Sequence, residues 1–205
     1  RAGRELKFEN DANCFALSEA VDGAGAGHGS VFGVIIGTGC GGGIVERGKI
    51  LTGANAIGGE WGHNPLPWPD DSEYPAPLCW CGRHGCQEVW LSGSGLARDH
   101  EHVTGKAANG EEIVVAAQNG DASARATLER HTQRLAKGLA CVVNILDPEV
   151  IVLGGGLSKL EHLYERLPEL MRPNVFSDSY TTKVLPPKHG DASGVRGAAW
   201  LWNDQ

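Results

Sequence analysis

The chain has 205 residues, which fits one large domain or a tight pair of domains. Hydrophobic residues make up 41% and charged residues 21%, a balance that excludes a disordered or coiled-coil chain. The net charge of −7 argues against a nucleic-acid or membrane-surface binder, because both need clustered Lys and Arg. No apolar run approaches the roughly 20 residues of a membrane span. The 30 glycines have no collagen period and indicate tight turns and close backbone contacts.

The predicted elements of the first half are mainly strands. The patterns predict a short strand at 6–8, a helix over 12–21, a buried strand at 31–36, and a hairpin of strands 43–46 and 49–51 that turns at Arg47-Gly48. Five of the ten prolines lie between residues 58 and 88, so we expect irregular structure there.

Helices dominate the second half. Apolar spacing predicts helices near 89–96, at 113–119 and over 122–146, the last ended by Asp147-Pro148. A buried strand at 149–153 follows, then helices over about 158–171 and 195–202. Strands followed by helices that alternate with strands predict an α/β domain with a mixed sheet.

Two glycine-rich segments follow predicted strands. Residues 37–43 read Gly-Thr-Gly-Cys-Gly-Gly-Gly, where backbone N–H groups and the Thr38 hydroxyl can turn towards a phosphate. The alternative is a plain glycine-rich hairpin, and the segment is not a Walker loop, which ends in Gly-Lys-Ser/Thr. Residues 154–156 are three glycines between a strand and a helix, which indicates either a ligand-binding strand end or a simple helix-entry turn.

The cysteine pattern indicates a metal. Cys79, Cys81 and Cys86 are clustered, and His63 lies upstream. Three thiolates and one imidazole suit a tetrahedral, structural Zn²⁺ site. The alternatives are three unpaired surface thiols, or His84 in place of His63 as the fourth ligand. Such clustering is more typical of a reducing cytosol than of a disulfide framework, so we expect a cytoplasmic protein.

Three carboxylates lie beside these segments. Asp11 falls between a predicted strand and a helix, where an Asp is most often an N-cap but can also act as a general base. Glu60 and Glu88 bracket the cysteine segment. Taken singly, each of these carboxylates has an ordinary structural interpretation.

Together these motifs resemble the ROK family of sugar kinases and sugar-responsive repressors, which implies the actin-like ATPase (ribonuclease H-like) fold. The segments that carry the resemblance are 9–13 (Glu-Asn-Asp-Ala-Asn), 37–43, 59–63 (Gly-Glu-Trp-Gly-His), 79–88 and 152–156 (Val-Leu-Gly-Gly-Gly). Residues 63–68 (His-Asn-Pro-Leu-Pro-Trp) and 194–202 are similar to bacterial fructokinases of the manno(fructo)kinase type.

The resemblance implies a role for each motif. Asp11 would be the catalytic base. The implied sugar contacts are Asn10, Glu60, His63 and Glu88, and the implied zinc ligands are His63, Cys79, Cys81 and Cys86. The implied ATP-binding residues are Gly37, Thr38, Gly39 and Gly41 at the phosphates, and Gly154, Gly155 and Gly156 near the adenosine. Mg²⁺ would accompany ATP, and zinc would be structural.

The implied reaction is phosphorylation of a hexose by ATP, with D-fructose as the expected substrate. Family kinases carry about a hundred further N-terminal residues with an Asp-x-Gly-Gly-Thr phosphate loop. Residues 1–205, with a zinc loop at about 58–88, therefore resemble the C-terminal lobe alone, and the chain begins without Met. We expect it to self-associate or dimerise, and to bind neither nucleic acid nor membrane. The alternatives are the lobe of a ROK repressor and an inert, zinc-stabilised sugar-binding fragment.

Overall fold

A computed structural model describes residues 6–202. Its strands are β1 (Ser30–Ile36), β2 (Cys40–Glu46), β3 (Lys49–Ile50), β4 (Val150–Gly154) and β5 (Lys183–Leu185). Its helices are α1 (Asp11–Val21), α2 (Glu88–Leu91), α3 (Gly93–Thr104), α4 (Gly110–Gln118), α5 (Ala122–Leu146), α6 (His162–Met171) and α7 (Ser193–Trp200). No helix in this part of the chain is long and apolar enough to cross a membrane.

The five strands form one mixed sheet in the order β3-β2-β1-β4-β5. Strands β1, β2 and β3 form an antiparallel meander, whereas β4 and β5 are parallel to β1. Ile35 on β1 pairs with Gly154 on β4, so the carboxyl ends of these two strands meet at one edge of the sheet. In open α/β sheets, ligands bind at that edge.

Side chains alternate between the two faces of the sheet and build two apolar clusters. Phe32, Val34 and Leu153 belong to the larger cluster, which α2 to α6 cover. Val31 and Val152 belong to the smaller cluster, which α1 and the end of α7 cover. The 25-residue α5 crosses the face of the sheet that carries the larger cluster.

Most predicted elements are confirmed, with five differences. The strand predicted at 6–8 is wrong: no regular element forms there, and Phe8 is 87% exposed. The helix predicted near 89–96 is two helices, because Ser92 has extended torsions, ends α2 and caps α3. Strand β2 begins at Cys40, so four of the seven residues of the glycine segment are strand. Helix α6 begins only at His162, after a 3₁₀ turn at Gly156–Lys159. Strand β5 was not predicted, because three residues carry too little pattern.

A buried carboxylate joins α1 to the segment before α7. Glu19 is fully buried, and its side chain accepts hydrogen bonds from Ala24 N (2.8 Å), Lys188 N (3.1 Å) and the Ser193 hydroxyl (2.6 Å). Nearby, Asp22 accepts a hydrogen bond from Arg196, which holds the pKa of that carboxyl below its usual value despite partial desolvation. These contacts fix α1 against α7, and α1 carries the Asn10-Asp11 pair at its amino end.

Candidate functional site

The amino end of α1 presents two polar side chains to solvent. Asn10, rather than Asp11, is the N-cap: its Oδ1 accepts from Ala12 N at 2.7 Å. The interpretation of Asp11 as a cap is therefore wrong, and Asp11 is the first helical residue with an exposed carboxylate. The Asn10 amide donates to Glu60 Oε1 at 3.3 Å, which brings two of the implied sugar contacts together.

The glycine segment 37–43 divides into an open turn and a packing surface. Residues 37–39 form the turn between β1 and β2, where Gly37 N donates to Gly39 O at 3.0 Å and Thr38 is exposed. Gly41 and Gly43 lie in β2. A Cβ at Gly43 would lie 2.6 Å from the carbonyl oxygen of Ala12, so the missing side chain allows α1 to approach the sheet closely.

The 154–156 glycines lie at the adjoining strand end. Gly155 has a φ of +81°, which favours glycine, and a Cβ there would lie 2.6 Å from Ile36 O. The turn after β4 therefore packs directly on the end of β1. This contact brings Gly156 to the same edge as Gly37 and Thr38.

A cleft of about 1350 Å³ opens at this edge. Gly37, Thr38 and Gly156 line it, whereas Gly39, Gly41, Gly154 and Gly155 are not among its lining residues. The first residues of α3 (Gly93 and Ser94) and of α4 (Gly110 and Glu111) also line the cleft. Lys159 and His162 line it as well. Helix amino ends carry unpaired N–H groups and partial positive charge, so this edge suits phosphate.

The part of the cleft that α3 and α4 supply was not predicted. The sequence signals for it are the helix caps: Ser92 Oγ accepts from Gly95 N at 3.1 Å, and Asn109 forms a capping box with Glu112. A Ser-Gly-Ser-Gly run and an Asn-x-x-Glu spacing mark such helix starts. Both helices begin at the cleft, and Ser94 Oγ donates to Thr38 O at 3.1 Å.

The four predicted zinc ligands converge. The donor atoms of His63, Cys79, Cys81 and Cys86 all lie within 4.8 Å of one another. Cys81 Sγ and Cys86 Sγ are 3.6 Å apart, and Cys79 Sγ lies 3.7 Å from His63 Nδ1. Tetrahedral zinc with Zn–S bonds of about 2.3 Å requires S···S near 3.8 Å and S···N near 3.6 Å. The donor set and spacing therefore fit zinc, and His84 lies outside the cluster.

The thiols of the cluster differ in acidity. Burial beside Cys81 raises the pKa of the Cys86 thiol to about 12, whereas a backbone hydrogen bond at Arg83 lowers the pKa of Cys81. Both thiols must lose their protons to bind zinc, so zinc affinity should increase with pH.

Glu88 connects the zinc cluster to the glycine turn. Glu88 Oε2 accepts from Cys40 N at 3.1 Å, and Oε1 accepts from the indole N–H of Trp80 at 2.6 Å. Cys79 Sγ is 3.8 Å from Oε1. Cys79 thus contacts both Glu88 and His63, whereas Glu60 contacts Asn10.

The irregular segment that carries these ligands is anchored on both sides. The Trp61 ring packs edge-on against Phe32 at 5.7 Å, and its N–H donates to Gly41 O. Buried Glu73 accepts from Arg134 at 2.7 Å, and Arg134 also donates to Asp99. This buried ion network attaches the segment to α5 and α3.

The mixed sheet with its flanking helices is the actin-like ATPase fold of ROK sugar kinases, and the His/Cys cluster fits a metal site. The chain belongs to the ROK family, whose pattern matches residues 1–205. It is 43% identical over 206 residues to the N-acetyl-D-glucosamine kinase of Vibrio cholerae, covering 98% of this chain and 68% of that protein.

Two solved structures are similar to the fold. The ROK hexokinase of Thermus thermophilus has a TM-score of 0.85 and 34% identity, over 96% of this chain and 64% of that one. A ROK glucokinase from Streptomyces griseus, solved with glucose and AMPPNP, has a TM-score of 0.84 and 29% identity, over 98% of this chain and 69% of that one. The chain therefore spans about two thirds of these relatives. Hexose phosphorylation agrees with these similarities, whereas they do not support the expected fructose specificity.

Proposed function

We propose that this chain is the C-terminal, sugar-binding lobe of an ATP-dependent hexose kinase, with Asp11 as the general base. The observation that carries the proposal is the position of Asp11. Its exposed carboxylate follows Asn10, which donates to Glu60, and the next residue, Ala12, packs against Gly41 and Gly43 of the glycine segment. The first residues of that segment line the cleft. A base at this point can accept the proton of a sugar hydroxyl while that hydroxyl attacks a phosphate held in the cleft.

Phosphoryl transfer depends mainly on positioning and charge neutralisation. The turn at 37–39 and the amino ends of α3 and α4 would supply N–H donors for the phosphates. Asn10, with its Oδ1 engaged as the cap, has an amide that can bind both Glu60 and a sugar hydroxyl. Mg²⁺ would enter with ATP and neutralise its phosphate charge. A second lobe that closes over the cleft would exclude water as a competing acceptor.

Zinc would be structural. The residues that would hold it are His63, Cys79, Cys81 and Cys86, and four protein ligands leave no open position for chemistry. If Nδ1 of His63 binds the metal, Nε2 carries the proton and can donate to a sugar oxygen. The metal loop would therefore orient His63 and Glu88 towards the sugar. Thiolates on zinc and the use of ATP both suit a cytoplasmic location.

The proposed substrate is a hexose of the aldose type. The Vibrio relative is an N-acetyl-D-glucosamine kinase, and the Streptomyces relative binds glucose, so we propose N-acetyl-D-glucosamine first and D-glucose second. D-Fructose has no support from these relatives. A ROK repressor lobe is the alternative of another class. The Asn10-Asp11 pair favours the kinase, because a repressor needs sugar binding but no base.

The test is Asp11→Asn in the natural chain that carries these residues. Because Asn10 is the cap, the substitution removes the base without removing the cap. We expect turnover in a coupled ADP-release assay to fall by about 10²-fold or more, with sugar affinity little changed. Asp178→Asn, a neutralised exposed carboxylate elsewhere on the surface, is the matched control. Near-normal turnover by Asp11→Asn would refute the proposal. Residues 1–205 alone should bind sugar but show little turnover.

A further inference from the structure

Trp80 stands between two residues of the proposed sugar site. It lies between the ligands Cys79 and Cys81, yet its side chain is 81% exposed. Its indole N–H donates to Glu88 Oε1 at 2.6 Å, and its ring meets the His63 ring edge-on, with centroids 5.0 Å apart. This exposed tryptophan therefore contacts two of the implied sugar residues, Glu88 and His63.

These contacts limit the freedom of the Glu88 carboxylate. Cys40 N binds one oxygen, and Trp80 binds the other. A carboxylate offers about four lone-pair sites, so about two remain for further donors. With both oxygens held, those remaining sites point in fixed directions. Without the indole N–H, Cys40 N is the one remaining N–H donor to the carboxylate among the described residues, and the Cys79 thiol, 3.8 Å from Oε1, is a weak partner. The terminal torsion of Glu88 is then freer to vary, because sp³–sp² torsions are broad.

We propose that Trp80 is a positioning residue for the sugar, an inference that rests on the proposed function. It holds Glu88 in the orientation that accepts sugar hydroxyls and supports the His63 ring from its exposed side. The ligand chemistry that fits is a polyhydroxylated pyranose, whose O–H groups donate to the carboxylate and whose apolar C–H face can cover the indole ring.

The experiment measures hexose binding to the chain by calorimetry and by tryptophan fluorescence, with N-acetyl-D-glucosamine and D-glucose as probes. Trp80→Phe keeps a ring beside His63 but removes the N–H, so we expect its Kd to increase by about 3- to 10-fold, the cost of ordering one side chain. Trp80→Ala should bind more weakly still. Trp68→Phe, at a 50% exposed tryptophan, is the matched control and should bind like the wild type.

Two further readouts separate positioning from a structural effect. All variants should retain equimolar zinc and the wild-type melting temperature. Sugar should change the emission of the wild type and of Trp68→Phe, but not that of Trp80→Phe. Unchanged affinity in Trp80→Phe, tighter binding there, or loss of its zinc would each overturn the inference and leave the proposed function intact. A wild-type chain that binds neither sugar would refute the proposed function, and the inference with it.

Discussion

Replacing Gly197 with Ala should separate α7 from α1. A Cβ at this position would lie 1.7 Å from the carbonyl oxygen of Cys14 and 2.7 Å from its Cα, so backbone meets backbone. The helices would have to move about 1.3 Å apart merely to reach a 3.0 Å contact. Neither helix can relieve this clash by a rotamer change, because the obstructing atoms belong to a helix backbone.

The magnitude follows from two opposing terms. Overpacking typically costs about 1–3 kcal/mol, and a backbone clash belongs at or above the upper end. Ala gains up to about 1 kcal/mol over Gly in a helix. We therefore expect Gly197→Ala to lose about 2–3 kcal/mol of unfolding free energy. Gly194→Ala is the matched control in the same helix: no atom lies within 4 Å of its Cβ, so it should be neutral or up to about 1 kcal/mol more stable.

Urea unfolding followed by circular dichroism gives the free energy of unfolding from the midpoint and the slope. Gly197→Ala should have a lower midpoint than the wild type, with the slope unchanged. The consequence for function is direct, because α1 carries Asn10 and Asp11, and sugar binding should weaken when α1 moves. If Gly197→Ala unfolds at or above the wild-type midpoint, as Gly194→Ala should, the close packing of α7 on α1 is refuted.

Three further predictions concern metal, pH and association. Elemental analysis should find about one zinc per chain, sharply reduced by Cys81→Ala but not by Cys141→Ala, whose thiol lies outside the cluster. Burial lowers the pKa of His131 to about 4, so only the unfolded chain takes up that proton between about pH 6.5 and 4. The free energy of unfolding should therefore fall by about 2 kcal/mol from pH 7 to pH 5. His131→Gln should remove most of that loss. Light scattering should show dimers or larger species through the exposed Val195 and Trp202, and Val195→Glu should reduce their mass, whereas a monomeric wild type would contradict this.

The cysteine members of the candidate metal cluster could be predicted from residue types, because few other roles gather three thiols in one short segment. Only the fold decided that His63, 16 residues before Cys79, brings its ring nitrogen to the three thiols and that His84 lies outside the cluster. The same holds at α1. The Asn-Asp pair marks a helix start by composition, but the backbone torsions at Asn10 decide that Asn10 is the cap and that the Asp11 carboxylate is left exposed.

The glycine segments show what a local sequence pattern can predict and what it cannot. Their composition predicts close approach of the backbone to a neighbour, because any side chain would prevent it. It does not identify the neighbour: a Cβ at Gly43 would meet α1, one at Gly155 would meet the end of β1, and Gly37 and Gly156 line the cleft. The cleft itself joins the two helix amino ends to turns at Gly37 and Gly156, which lie far from them in the chain. Hydrophobic periodicity and helix caps act over a few residues, so they can be predicted from the sequence. The burial of whole faces decides which element packs against which, and only the tertiary structure determines that arrangement.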